Sequence, residues 1–251
     1  MKTFKKLCRI LLIVAFWLGV WAFAAWRVGK PLLFPPPNAV AARLLELLRT
    51  AEFYRITANS LWNIITGILL AVIGGCILAV ITSRISFLRE AILPVMTVIK
   101  ATPVASFIIL ALIWIGAAKV PTFITVLIVL PVVWTNLDVG FSKIDPQLAE
   151  LAKVYKIPFW KRQRLFVLPS IKPYFVSACR TSLGLAWKAG VAAEIIAMPR
   201  NSIGTMIGDA KQYLMTEDMF AWTLTVILLS LVIELAFSAL FKKLDKRKEE
   251  V

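Results

Sequence analysis

The sequence contains no histidine. That removes the usual general base, the commonest metal ligand and the side chain that titrates near neutral pH. Cysteine is scarce: Cys8, Cys76 and Cys179 fall in or beside apolar runs and have no CxxC spacing. This pattern argues against a disulfide framework, a zinc site or redox chemistry. Acids are few, 14 against 29 Lys and Arg. Only Asp138, Glu194 and Glu234 lie near the interior of apolar runs, too sparse a set for a convergent catalytic cluster. There is no G-x-x-x-x-G-K-[ST] loop, so the chain has no nucleotide-phosphate cradle of that kind. An internal repeat, a low-complexity tract and a second domain are also missing, and 1–251 reads as one transmembrane domain.

What the chain has in abundance is apolar surface. Hydrophobic residues make up 60% of it, with a mean hydropathy of +0.82. A soluble core could not hide that much, so the solvent is largely lipid. Runs of about 20 apolar residues predict an all-α integral membrane protein with six transmembrane helices, near 7–26, 58–82, 92–115, 120–138, 174–197 and 220–241. The first follows Lys2, Lys5 and Lys6 and contains Ala22-Phe23-Ala24, which resembles a signal-peptidase site. Its length, with Trp17 and Trp21, reads better as a retained anchor.

The net charge of +15 is distributed as punctuation between spans rather than as one stripe, which argues against nucleic acid as a partner. With both termini in the cytoplasm, eighteen basic residues fall inside and eight outside, as the positive-inside rule requires. The other three, Lys100, Arg180 and Lys188, lie within spans. Outside, Asn38 is expected to cap a helix after Pro35-Pro36-Pro37, with Val40, Leu44, Leu47 and Leu48 on one side. The loop 199–219, with Gly204 and Gly208, reads as a re-entrant or surface excursion.

Small residues recur every fourth position in two spans: Gly67, Ala71, Gly75 and Ala79, then Ala178, Ser182, Ala186, Gly190 and finally Glu194. Such stripes let helix backbones approach closely. Pro103 and Pro131 should kink their spans or free a carbonyl. A cation at mid-bilayer costs at least about 2.5–3.5 kcal/mol, so it faces protein or water. Lys100 and Arg180 fit snorkelling or an ion pair as well as a polar path. Lys188 lies far from both interfaces and about 200° around the helix from Ala186, off the small-residue stripe. Lys100, Arg180, Lys188 and Glu194 are the candidate residues of a translocation path, which Lys100 and Lys188 would make hospitable to anions.

The segment 145–169 is longer and more polar than a connection between spans requires. Asp145 or Gln147 can begin a helix with Glu150 near its positive end. Ala149 and Ala152 share a side with Leu148, and Tyr155 lies an adjacent turn away. Pro158 should end that helix. Phe159, Trp160, Leu165 and Phe166 then predict a second short helix, aromatic on one side and basic on the other. Two short helices with exposed apolar faces imply a groove on a partner protein.

This segment resembles the EAA loop of bacterial ABC importer permeases of the binding-protein-dependent class. The family pattern is Glu-Ala-Ala, a Gly four residues after the second Ala, and Leu-Pro thirteen residues after that Gly. Glu150, Ala152 and Leu168-Pro169 match in register, while Leu151 replaces the first Ala and Lys156 stands at the Gly position. Pro158 is therefore expected to supply the break that the Gly usually supports. The resemblance extends along nearly the whole chain. Phe34-Pro35-Pro36-Pro37-Asn38-Ala39-Val40, Ser60-Leu61, Lys100 to Ala105 with Leu112 to Gly116, and Leu183 to Trp187 through Ala193-Glu194 are similar to the nitrate/sulfonate/taurine branch. Lys188 departs from that branch, which usually has an apolar residue there.

The resemblance implies a type I importer permease that pairs with a second copy of itself. Two cytoplasmic ATPase subunits would bind ATP and Mg, and this chain would hold no cofactor or metal. An external solute-binding protein would deliver the cargo to a multi-pass subunit in the bacterial plasma (inner) membrane. The ATPase-coupling residues would be Glu150, Ala152, Tyr155, Lys156, Pro158, Trp160 and Pro169. The buried cations favour a small anion such as an organosulfonate, taurine, nitrate or bicarbonate, while the same branch resembles carriers of thiamine precursors and other heterocycles. An integral membrane enzyme is the reading from a different class, and the missing catalytic cluster speaks against it.

Overall fold

The computed structural model describes residues 2–249, with side chains described for all of these except 2–7, 146, 149, 153 and 240–249. The described elements are all helical. Helix α1 (Lys2–Val28) stands almost free of the rest, held near its end by Trp21. The Trp21 Nε1–H donates to the Pro35 carbonyl at 3.1 Å, and its ring stacks on Phe220. The expected surface helix is α2 (Pro37–Leu47), with Val40 fully buried and Leu44 and Leu47 packed inward. It starts two residues earlier than expected, because Pro37 occupies the first turn and Pro36, not Asn38, is the capping residue.

Helix α3 (Ala51–Thr82) begins seven residues before the expected span, where the Thr50 hydroxyl accepts from the Phe53 amide at 3.3 Å. Apolar run length reports where the bilayer is, not where a capped helix starts. The third expected span is two helices, α4 (Ser86–Ala101) and α5 (Val104–Ile115), bent by 103°. The cause is local: the residue before proline avoids helical geometry, and Thr102 is extended at ψ 135°. The expected kink at Pro103 is thus a full break. Helix α6 (Val120–Ser142), by contrast, runs through Pro131 without interruption.

Beyond α6 come α7 (Pro146–Val154), α8 (Phe159–Arg162), a π-helical turn over 163–167 and the long α9 (Leu168–Ala197). The segment 199–219 folds as α10 (Ile203–Gln212), capped by Ser202, before α11 (Thr216–Glu249). Segments of α1, α3, α6 and α11 are long and apolar enough to cross a membrane, and the bent α4–α5 pair makes a fifth candidate. Helix α9 has the length, at 30 residues, but Arg180, Lys188 and Glu194 make it more polar than these. The protein is therefore an all-α, multi-pass membrane protein.

The core is the packing of α3, α6 and α9. Both small-residue stripes face into it, as the spacing predicts: Gly67, Ala71, Gly75 and Ala79 on α3, and Ala178, Ser182, Ala186 and Gly190 on α9. A Cβ on Gly67 would stand 2.6 Å from the Thr125 Cβ, and one on Gly190 2.6 Å from the Ile64 Cγ1. Only hydrogen fits at such crossings. A second cluster joins α2, α3, α10 and α11 through Phe53, Ile56, Ile203 and Trp222, with Phe53 stacked on Trp222 at 5.1 Å.

Candidate functional site

The segment 145–169 is built by local rules. The Asp145 carboxylate accepts from the Gln147 amide at 2.8 Å and starts α7, as expected. The helix ends at Val154, and the chain reverses at Lys156 with φ +47°, in the left-handed region. The Ile157 amide donates back to the Ala152 carbonyl at 2.9 Å, which is the closing bond of a Schellman turn. The turn is thus made at Lys156 itself, and the expectation that Pro158 replaces it needs correction. Pro158, extended at ψ 147°, instead caps the start of α8. A left-handed conformation costs a residue with a Cβ about 1 kcal/mol relative to glycine.

The expected second short helix is not separate either. Backbone from Phe159 stays helical through the π turn and into α9. Pro169 has no N–H and would crowd the carbonyl four residues earlier, and the wider π turn accommodates it. The sequence signal of a closing Leu168-Pro169 therefore marks an elbow inside a continuous helix.

Glu150 is exposed and Ala152 is buried. Around them Leu151, Val154, Tyr155, Phe159, Trp160 and Leu165 are all exposed, Trp160 at 81%. Trp160 packs edge-on against Phe159, and the Arg84 guanidinium lies 5.4 Å from the Phe159 ring centre. Ala149, which the sequence places beside Ala152, has a side chain outside the described residues, as do Lys2, Lys5 and Lys6 and the basic residues of 242–248.

The candidate path residues divide into two kinds. Lys100 is exposed at the last turn of α4 and donates to the Thr135 hydroxyl at 3.2 Å. Arg180 and Lys188 are exposed on α9, away from its small-residue stripe. Arg180 lines a cleft of about 100 Å³ with Gly184, Trp187 and Glu234. Glu194 is fully buried. Its Oε2 accepts from the Ser60 hydroxyl at 2.9 Å and from the Gly204 amide at 3.0 Å, and the Ser60 oxygen accepts from the Ile203 amide at 2.9 Å. That knot ties α3, α9 and the start of α10 together. Among these described residues, no hydrogen bond or ion pair joins any two of Lys100, Arg180, Lys188 and Glu194.

Sequence reasoning missed one pair. The Arg89 Nε and Nη2 donate to the two oxygens of Asp138 at 2.7 and 2.9 Å, clamping α4 to α6. Asp138, the acid near the C-terminal end of α6, required a cation, and Arg89 in the first turn of α4 was the available one.

This geometry can be set beside known proteins. Residues 52–250 match the family described as binding-protein-dependent transport system inner membrane component. The chain belongs to that family. It is a permease subunit of an importer of this class, a transport component rather than an enzyme, and it resides in the bacterial inner membrane. Family membership carries the general architecture of such importers, in which the permease works with an ATPase and a binding protein. The permease is 25% identical over 240 residues to the taurine transport system permease protein of Escherichia coli (strain K12), covering 92% of this chain and 86% of that one. It is 29% identical to the nitrate import permease protein of Synechococcus elongatus (strain ATCC 33912 / PCC 7942 / FACHB-805), over 77% of this permease and 72% of the relative. It is 28% identical to the formylaminopyrimidine transport permease protein of Halalkalibacterium halodurans (strain ATCC BAA-125 / DSM 18197 / FERM 7344 / JCM 9153 / C-125), over 66% and 67% of the two chains.

Proposed function

We propose that the permease works as a homodimer with two cytoplasmic ATPase subunits and an external binding protein, and that it imports a small anion. The observation that carries the coupling is the exposed apolar face of α7 and α8, which the chain builds with a strained turn and leaves uncovered. Glu150, Tyr155, Lys156 and Trp160 offer that face to a cleft on the ATPase, while Ala152, Pro158 and Pro169 hold its shape. ATP-driven closure of the ATPases moves this face. The continuous helix from Phe159 then carries the motion into α9, where Lys188 lies about 30 Å beyond the elbow at 1.5 Å per residue. Alternating access follows from that displacement.

In this reading α9 is a sixth span, crossing beside α1, α3, the α4–α5 pair, α6 and α11, and both termini are cytoplasmic. The eighteen-to-eight division of basic residues supports this orientation. Lys100, Arg180 and Lys188 line the path, and Glu194 braces it from behind. Their charge supports an anion such as a sulfonate, taurine, nitrate or bicarbonate, as do the relatives named for taurine, aliphatic sulfonates and nitrate. The relatives named for formylaminopyrimidine and riboflavin transport support a second reading, in which a heterocycle is the cargo.

Co-purification tests the coupling. The ATPase encoded with the permease should come down with the wild type and be lost with Glu150→Arg, which reverses a charge on an exposed surface. Loss would also fix the loop on the cytoplasmic side. Full retention of the ATPase after deletion of 147–165 would overturn the assignment.

A further inference from the structure

Two open cavities meet at the elbow, beside the face proposed for the ATPase. One, of about 730 Å³, is walled by Cys76, Val80, Leu137, Phe175 and Val176, with Arg164 and Lys172 also lining it. The other, of about 500 Å³, has Arg84 and Arg162 beside Phe159 and Gln163. They share Val80, Phe141, Leu168 and Ile171, so they form one continuous groove. Four cations line it, and no acid does among the described residues.

The depth of these groups is informative. Cys76 and Val80 lie in the last turns of α3, which ends at Thr82, and Arg84 follows immediately. Leu137 and Phe141 lie near the end of α6, and Phe175 and Val176 two turns into α9. The apolar wall is therefore at the depth of acyl chains, and the cations are at the depth of headgroups. The guanidinium of Arg84 is steadied by the face of Phe159. Such stacking leaves its N–H groups, which lie around the edge, able to meet an oxyanion.

We propose that this groove binds an anionic phospholipid, with its phosphate among Arg84, Arg162 and Arg164 and an acyl chain between Cys76, Leu137 and Val176. Charge complementarity selects the headgroup, since basic pockets between spans hold anionic lipids while a neutral lipid offers Arg84, Arg162 and Arg164 no net negative charge. The apolar wall selects a lipid over a free phosphate. The lipid fills the space under the π turn, the one point of irregular geometry in the helix that joins α8 to α9. It braces the elbow against bending there, so the anionic lipid content of the membrane sets how faithfully motion passes from α8 to α9.

Native mass spectrometry of the purified importer complex, with equimolar phosphatidylglycerol and phosphatidylcholine of the same chains, reads this directly and is indifferent to the cargo. The wild type should retain phosphatidylglycerol with a marked preference. The double variant Arg84→Gln/Arg164→Gln should reduce that preference about thirtyfold, the effect of two cations near an anionic headgroup. Val176→Trp should lower retention of both lipids by filling the acyl end. Equal retention of the two lipids by the wild type, an unchanged preference in the double variant, or unchanged retention in Val176→Trp would overturn the site. Displacement of phosphatidylglycerol by millimolar glycerol phosphate would overturn it too, assigning the cations to a soluble phosphate. Should the double variant fail to assemble, Arg84→Gln alone, outside the helices, carries the same criterion with about a fivefold expected reduction.

Discussion

Lys156 is the residue at which sequence pattern and backbone geometry disagree most usefully. Its position matches a glycine in the family pattern, and its φ of +47° explains why glycine is favoured there. Lysine tolerates the conformation because the Ile157-to-Ala152 hydrogen bond and the Pro158 cap hold both sides of the turn. Lys156→Gly should therefore stabilise the folded loop by about 1 kcal/mol, less the extra chain entropy that glycine brings to the unfolded state. Hydrogen exchange at the Ile157 amide would measure it, and slower exchange in the variant is expected. Glu194 teaches the complementary lesson. It continues a stripe of small residues, and only the fold places Ser60 and Gly204 within hydrogen-bonding distance of it. Nothing in a stripe of spacing four indicates which partner a terminal acid will find.

At the scale of elements, the two stripes were legible because close packing demands a small residue at each crossing. They distinguish glycines of different kinds on neighbouring helices. A methyl group at Gly67 would meet Thr125 side-chain carbons at 2.6 and 2.8 Å and the Thr122 carbonyl at 2.9 Å, whereas one at Gly184 would meet nothing within 4 Å. Gly67→Ala should thus cost about 1–3 kcal/mol through overpacking. Gly184→Ala should leave the fold intact, with a gain of up to about 1 kcal/mol from helix propensity. Thermal unfolding of the purified variants in one detergent would separate them. The expected third span was less legible. Its hydropathy is continuous, but the Thr102-Pro103 step turns the chain by 103°, because a backbone restriction at one residue outweighs an unbroken apolar run.

At the scale of the whole molecule, Lys100, Arg180 and Lys188 share one property: all three are exposed on a single chain that must lie in a membrane. In the proposed six-span arrangement Lys188 lies at mid-bilayer, where exposure to lipid is expensive, so a second copy or an aqueous path covers it. In reconstituted vesicles, Lys100→Met/Lys188→Met should slow uptake of the anionic cargo about tenfold or more while leaving ATPase assembly intact, as loss of two favourable charges along an anion path requires. Unchanged transport kinetics would remove both lysines from the path. The Arg89–Asp138 clamp ties α4 to α6, and the Glu194 knot ties α9 to α3 and to the start of α10.

The class of the protein, its helical apolar segments, its packing stripes and the start of the helix at Asp145 were legible in the sequence alone. Each depends on periodicity, residue size or short-range spacing, which a linear chain states outright. Tertiary structure decided the rest: the break at Thr102, the left-handed turn at Lys156, the helix continuous through Pro169, the partners of Asp138 and Glu194, and the groove beside the elbow. The physical reason is common to these last three. A buried carboxylate takes whichever donor the fold brings within about 3 Å, and a groove exists only where separate helices leave space between them, so neither can be read from positions 49 or 134 residues apart in the chain.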